Sequence, residues 1–214
     1  MKNLILFVFV LLNVPSFSQT QTDKKADEIL KVLTKKYKGF TSIQADFSYT
    51  IDNPAQKTSE THKGSIASKG NKYKLNINNQ DVISDGKTVW TYLKESNEVQ
   101  VNDVNIKEDA ITPTNIFTMY DKGFVFKFVE EKNEDGKVFQ IIDLMPEDKN
   151  KKFFKARLKI NKADKSLVSS KIFNKDGSHF IYSIDKFTPN VPLNDDLFTF
   201  NKAAYPKVEV VDLR

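Results

Sequence analysis

The sequence predicts a mainly β protein with short helices, an α+β chain. The expected form is a half-open antiparallel β-barrel of about 10–11 strands with helices covering its concave opening. Three observations carry this prediction. Apolar and polar residues alternate with period 2 in run after run, the pattern of strands with one wet face. Asx-Gly turns separate many of the runs, as in antiparallel hairpins. And 17 Phe and 7 Tyr accompany a single Trp in 214 residues, more rings than one packed layer needs and suited to a wide, ring-lined cavity.

In chain order, Ala26, Ile29, Leu30, Leu33 and Tyr37 recur at the spacing of an amphipathic helix, with Asp23 as N-cap and Gly39 as its stop. Ser42 to Ile51 is a first long strand, since Ile43, Ala45, Phe47, Tyr49 and Ile51 alternate with polar residues. Asn53-Pro54 turns the chain, and a strand follows near His62 to Ser68. Gly64 to Tyr92 holds three strand runs joined by two turns. In it Tyr73, Leu75 and Ile77 alternate with polar residues, and Val89-Trp90-Thr91-Tyr92 resumes after the turn Ser84-Asp85-Gly86-Lys87. Val99 to Val101 returns after a turn at Lys94 to Asn97. Thr112 and Pro113 then begin a short apolar helix carrying Ile116, Phe117, Met119 and Tyr120, capped and started by residues suited to it. The remainder is a meander. Its strands are Phe124–Glu131, Val138–Met145, Phe154–Ile160, Leu167–Phe173 and His179–Phe187. A short run at Phe198 and Phe200 and a final strand at Val208–Val211 complete the chain.

Residues 1–18 read as a secretory leader: Lys2, an apolar Leu4 to Val14, then Ser16-Phe17-Ser18, with cleavage before Gln19. At 1.5 Å per residue, that apolar run falls short of the ~30 Å hydrocarbon layer. Residues 19–214 read as a single domain, secreted beyond the inner membrane and free in a periplasm. Cysteine is absent, which removes disulfides, thiol nucleophiles, Cys-ligated metals and a cysteine-linked lipid anchor together. Net charge is +5, with lysine supplying almost all of it and Arg157 and Arg214 the only arginines. Base and phosphate recognition leans on the guanidinium fork, so no nucleic-acid partner is expected. His62 and His179, the two histidines, lack metal-ligand spacing, and no nucleophile elbow, phosphate loop or dinucleotide fingerprint is present. Asp85 and Asp135 precede glycines, which turn geometry explains. The chain is read as a non-enzyme with no metal and no cofactor.

An ordered set of motifs resembles the periplasmic outer-membrane lipoprotein carrier family (LolA-like). Gln44-Ala45-Asp46-Phe47 lies on the first strand after a leading helix, and Gly64-Ser65-Ile66 begins the next. Ile83-Ser84-Asp85-Gly86-Lys87-Thr88-Val89-Trp90-Thr91-Tyr92 is similar to the family's Asp-Gly-Lys turn and tryptophan strand. Phe198-Thr199-Phe200, Pro206 and Val208-Glu209-Val210 resemble its ending. The likeness covers essentially the whole chain after the leader.

The resemblance implies a carrier that shields the acyl chains of lipoproteins in a hydrophobic cavity between the inner and outer membranes. Its implied partners are acylated lipoproteins, an inner-membrane release complex and an outer-membrane acceptor, met through transient membrane-protein contacts by a monomer. Cavity candidates are Phe47, Tyr49, Tyr73, Leu75, Trp90 and Tyr92, and lid candidates are Leu30, Leu33, Ile116, Phe117 and Met119. Ordinary core packing is the competing reading for each, because parity does not say which face is concave. Where the family often carries Arg-Pro before the aromatic strand, this chain has Lys69-Gly70, which makes Lys69 the candidate latch. Alternatives are a same-fold module for another lipid, a lipoprotein-sensing domain, or a packed protein-interaction domain.

Overall fold

The computed structural model describes residues 23–104 and 123–214. Within them a fifteen-residue helix, α1 (Lys24–Lys38), starts where Asp23 accepts from the backbone N–H groups of Lys25 and Ala26 at 2.8 and 3.3 Å. Such capping satisfies donors that a first helical turn leaves without partners. Lysines 35, 36 and 38 occupy the last turn, where cations suit the negative end of the helix dipole.

Twelve strands follow: β1 (Ile43–Asn53), β2 (Thr58–Lys69), β3 (Lys72–Ile77), β4 (Gln80–Ser84), β5 (Thr88–Leu93) and β6 (Glu98–Asp103), then β7 (Phe124–Glu134), β8 (Lys137–Pro146), β9 (Phe153–Asn161), β10 (Leu167–Asn174), β11 (His179–Pro189) and β12 (Glu209–Asp212). They form one open sheet in the order β12-β6-β5-β4-β3-β2-β1-β11-β10-β9-β8-β7. Two meanders, β1–β6 and β7–β11, meet at the antiparallel β1–β11 seam. Every pairing is antiparallel except β12 on β6, which is parallel.

The strand count exceeds the expected 10–11, and the added strand is β4. The turn before it, Asn78-Asn79, holds both residues at positive φ, 50° and 57°. Asparagine tolerates that conformation, and two such residues in succession make a tight hairpin without glycine. Gly64 to Tyr92 therefore spans four strands rather than three. The expected helix around Ile116, Phe117 and Met119 lies outside the described residues, as does the leader.

Cross-strand pairing sorts side chains onto two faces. The inner face carries the main core: Ala26, Ile29, Leu30, Leu33 and Tyr37 of α1 pack with Phe124, Phe126, Ile142, Leu144, Leu158 and Ile160 of β7–β9. Phe40, Ile43, Ile184 and Phe187 border this cluster. The Tyr37 hydroxyl accepts the Leu167 N–H at 3.1 Å, and the Tyr37 ring meets Phe40 and Phe187 edge-on at 5.6 and 5.3 Å. Among the described residues this cluster takes nothing from β2–β6, and no helix is long and apolar enough to cross a membrane.

Candidate functional site

The inner face continues past α1 onto β1–β5. Pairing places Ile43, Ser68, Tyr73, Ser84 and Val89 in one row, and Ala45, Ile66, Leu75, Val82 and Thr91 in the next. A third row holds Phe47, Gly64, Ile77 and Gln80, and a fourth holds Tyr182, Tyr49 and His62. From the first row to the fourth, six strand residues span ~20 Å. Phe47, Tyr73, Leu75, Ile77, Val82 and Val89 are half-buried rather than sealed.

Gly64 shapes this strip. A Cβ there would come 2.5 Å from Phe47 Cζ and 2.8 Å from the Asn76 carbonyl oxygen, so the Phe47 ring lies down over the glycine. At the fourth row three rings stack: His62 on Tyr49 at 5.1 Å, and Tyr49 on Tyr182 at 6.1 Å, with interplanar angles of 22° and 25°. The Tyr49 hydroxyl donates to Asn78 Oδ1. Tyr73 and Tyr182 differ, since among the described residues neither hydroxyl has a hydrogen-bond partner. No buried side-chain N or O lacks a partner among those residues, so both hydroxyls are open to solvent or ligand. Partial burial pushes both phenols up from 10.0, with Tyr49 adding to the effect at Tyr182.

Four of the expected cavity residues, Phe47, Tyr49, Tyr73 and Leu75, therefore share the inner face. Trp90 and Tyr92 do not. Trp90 pairs with Ile83 and Val101, and Tyr92 with Asp81 and Val99, on the outer face. There the segment after β11 packs against Tyr92. Tyr92 meets Tyr205 and Phe200 at 4.6 and 6.3 Å, and its hydroxyl donates to Asn97 at 3.0 Å. Phe198 and Val99 are fully buried. The tryptophan strand thus serves a second apolar layer that sequence reasoning merged with the first.

Leu30 and Leu33 face the inner core, 3% and 0% exposed, so α1 covers the β7–β11 side of the face. Lys69 reaches the segment after β11: its Nζ lies 2.9 Å from Asp195 Oδ1 and 3.4 Å from the Leu193 carbonyl oxygen. Lys72 takes the other Asp195 oxygen at 3.0 Å, and these two ammonium groups hold the Asp195 carboxyl below 3.8. Lys69 also edges a groove of about 620 Å³ lined by Thr41, Ser42 and residues 190–194. Among the described residues its partners belong to this connector and not to α1.

The Asp-Gly-Lys turn is structural. Asp85 Oδ1 accepts from the N–H groups of Lys87 and Thr88, both at 2.8 Å. Burial alone would push its carboxyl up, yet these donors and Lys87 bring it below 3.8. Gly86, at φ +91°, has Asn71 against it where a Cβ would stand. Among the described residues no group of three or more His, Asp or Glu is placed to hold a metal.

Among the described residues, α1 covers one side of the apolar inner face of an open sheet. The chain belongs to the family described as outer membrane lipoprotein carrier protein LolA, whose model matches residues 38–201. A relative from Methanocaldococcus jannaschii, uncharacterized protein MJ0687, is 28% identical over 93% of this chain, which spans 58% of that relative's length. An outer-membrane lipoprotein carrier protein from Shewanella pealeana is 24% identical over 91% of this chain and 90% of its own. A crystal structure of an uncharacterized conserved protein from Thermus thermophilus has the same fold, with a TM-score of 0.58, 14% identity, and coverage of 88% of this chain and 99% of that one.

Proposed function

We propose that this protein is a lipoprotein carrier, binding acyl chains non-covalently on the inner face of β1–β5 without catalysis, cofactor or metal. The observation that carries the reading is the half-buried apolar set Phe47, Tyr73, Leu75, Ile77, Val82 and Val89, which continues the α1-covered core from β1 onto β3–β5, strands that supply none of it. Exposing an acyl chain to water costs about 0.8 kcal/mol per CH₂. A carrier needs enough apolar surface to offset that cost and few enough fixed contacts to release the chain. Side chains sealed by their neighbours have no area left to give a ligand. Half-buried ones do.

In this reading the chain is secreted, works as a monomer in the periplasm, and passes its cargo from an inner-membrane release complex to an outer-membrane acceptor. The name of the Shewanella pealeana relative supports it.

The test is cargo capture. The protein purified by mild extraction from its own cells is expected to carry acylated polypeptide by mass spectrometry, and Leu75→Glu to lose it while keeping its circular dichroism spectrum. Absence of acylated material from the unaltered protein overturns the carrier reading.

A further inference from the structure

The outer face carries a patch that the proposed site does not use. Phe153 and Phe154 open β9, and their rings stand on opposite faces of the sheet. Phe153 packs with the inner core and stacks on Phe124 at 6.2 Å. Phe154 lies on the outer side, 51% exposed, and no other aromatic ring among the described residues is exposed. Its neighbour is Phe173, at 6.2 Å with the planes tilted by 49°.

Lysines surround the two rings. Lys155 and Lys171 hold their ammonium groups 4.2 and 5.2 Å from the centre of the Phe173 ring. The β8–β9 turn adds Lys149, Lys151 and Lys152, and the β10–β11 turn adds Lys175. The two turns are tied together. The Lys175 N–H donates to the Lys152 carbonyl at 3.0 Å, and Lys175 Nζ donates to the Lys149 carbonyl oxygen. Six ammonium groups thus gather at one end of the sheet, against the four carboxylates of Asp52, Glu147, Asp148 and Asp176. Asp148 and Asp176 accept from backbone N–H groups of their own turns at 2.8 and 2.9 Å, and Asp52 lies 3.1 Å from His179. The excess at this end is positive.

Cations alone would suit any acidic surface. An exposed ring among them suits a surface with anionic groups in front and hydrocarbon just beneath, as an anionic lipid bilayer has. We propose that this end of the outer face docks on an anionic membrane, with Phe154 entering the head-group boundary and the lysines of both turns on the lipid phosphates. The docking ring and the half-buried strip of β1–β5 lie on opposite faces of the sheet, so docking leaves the strip uncovered. The proposal does not depend on what that strip binds.

The test is co-flotation with vesicles of phosphatidylglycerol and phosphatidylcholine in equal parts, and with vesicles of phosphatidylcholine alone. The unaltered protein is expected to float with the first and not the second, and to be released by high salt. Phe154→Ser should weaken binding about three- to tenfold. Lys149→Gln with Lys152→Gln should weaken it about tenfold or more. Lys31→Gln with Lys35→Gln removes the same charge from α1 and should leave binding unchanged, as should Leu75→Glu on the inner strip. Equal binding to both vesicles, or none to either, overturns the proposal. An equal loss for the α1 pair also overturns it, assigning the attraction to net charge. Full binding by Phe154→Ser makes the patch one for acidic protein surfaces, and loss in Leu75→Glu moves the contact to the inner face; each overturns membrane docking by Phe154.

Discussion

Phe47 and Gly64 face each other across β1 and β2, and the ring occupies the space a side chain at Gly64 would fill, with its Cζ 2.5 Å from where a Cβ would stand. The contact has a fixed partner on its other side, the Asn76 carbonyl oxygen at 2.8 Å. Backbone cannot step aside as a ring can. Gly64→Ala is therefore expected to push Phe47 off its position and to cost about 1–3 kcal/mol in urea unfolding. Phe47→Leu in the same chain should recover part of that loss, and strict additivity of the two changes would refute the contact.

Trp90 tests the separation of the faces. Trp90→Ala should cost about 2 kcal/mol, less than truncating a fully buried ring because this one is only half-buried, since it opens the outer layer beside Ile83 and Val101. Binding of a fluorophore bearing a hexadecyl chain should persist under folding conditions. Loss of probe binding with unchanged stability would mean that Trp90 touches the ligand.

Asp23 fastens α1 to β7, the last strand in the sheet order. Its N–H donates to the Phe126 carbonyl at 3.0 Å, and its Oδ2 accepts from the Phe128 N–H at 3.3 Å. Asp23→Ala removes a helix cap and this edge contact together, for an expected loss of about 1–2 kcal/mol. Hydrogen exchange at the Phe128 amide should accelerate. An unchanged rate there would disprove the second role.

Tyr37 predicts alkaline sensitivity. Burial pushes its phenol up from 10.0 to about 12, despite the Leu167 N–H that favours the anion. The folded protein thus prefers the neutral ring. Its contribution is fully present below pH 10 and is lost as pH rises toward 12. Tyr37→Phe should flatten the fall in stability across that window. A parallel fall in both proteins would assign the effect to other groups.

Much of the fold was legible. The 26–37 stripe and its Asp23 cap, the Ile43–Ile51 alternation and the Asp85 turn all appear where local chemistry puts them. Alternation says which residues of one strand share a face. It does not say which face, and it carries across a hairpin only through register. With β4 and its Asn78-Asn79 turn unrecognised, nothing related Tyr73 to Trp90, and two apolar layers read as one. The signal available was the pair of asparagines. The partner of Lys69 was out of reach for another reason: Asp195 lies 126 residues away, and exposed ion pairs leave no periodic trace in a chain.

The β1–β11 seam bears on how the molecule is made. Each meander is built of hairpins that close over short turns, whereas the seam joins residues such as Asp52 and His179, 127 positions apart. Loop closure at that range is entropically costly and slows folding. The two halves can therefore gain structure before the central pairing unites them, and substitutions at Ala45 should speed unfolding while scarcely changing the folding rate. A newly made chain would spend that interval with two unpaired strand edges in the middle of its future sheet, the period in which it most needs protection from aggregation.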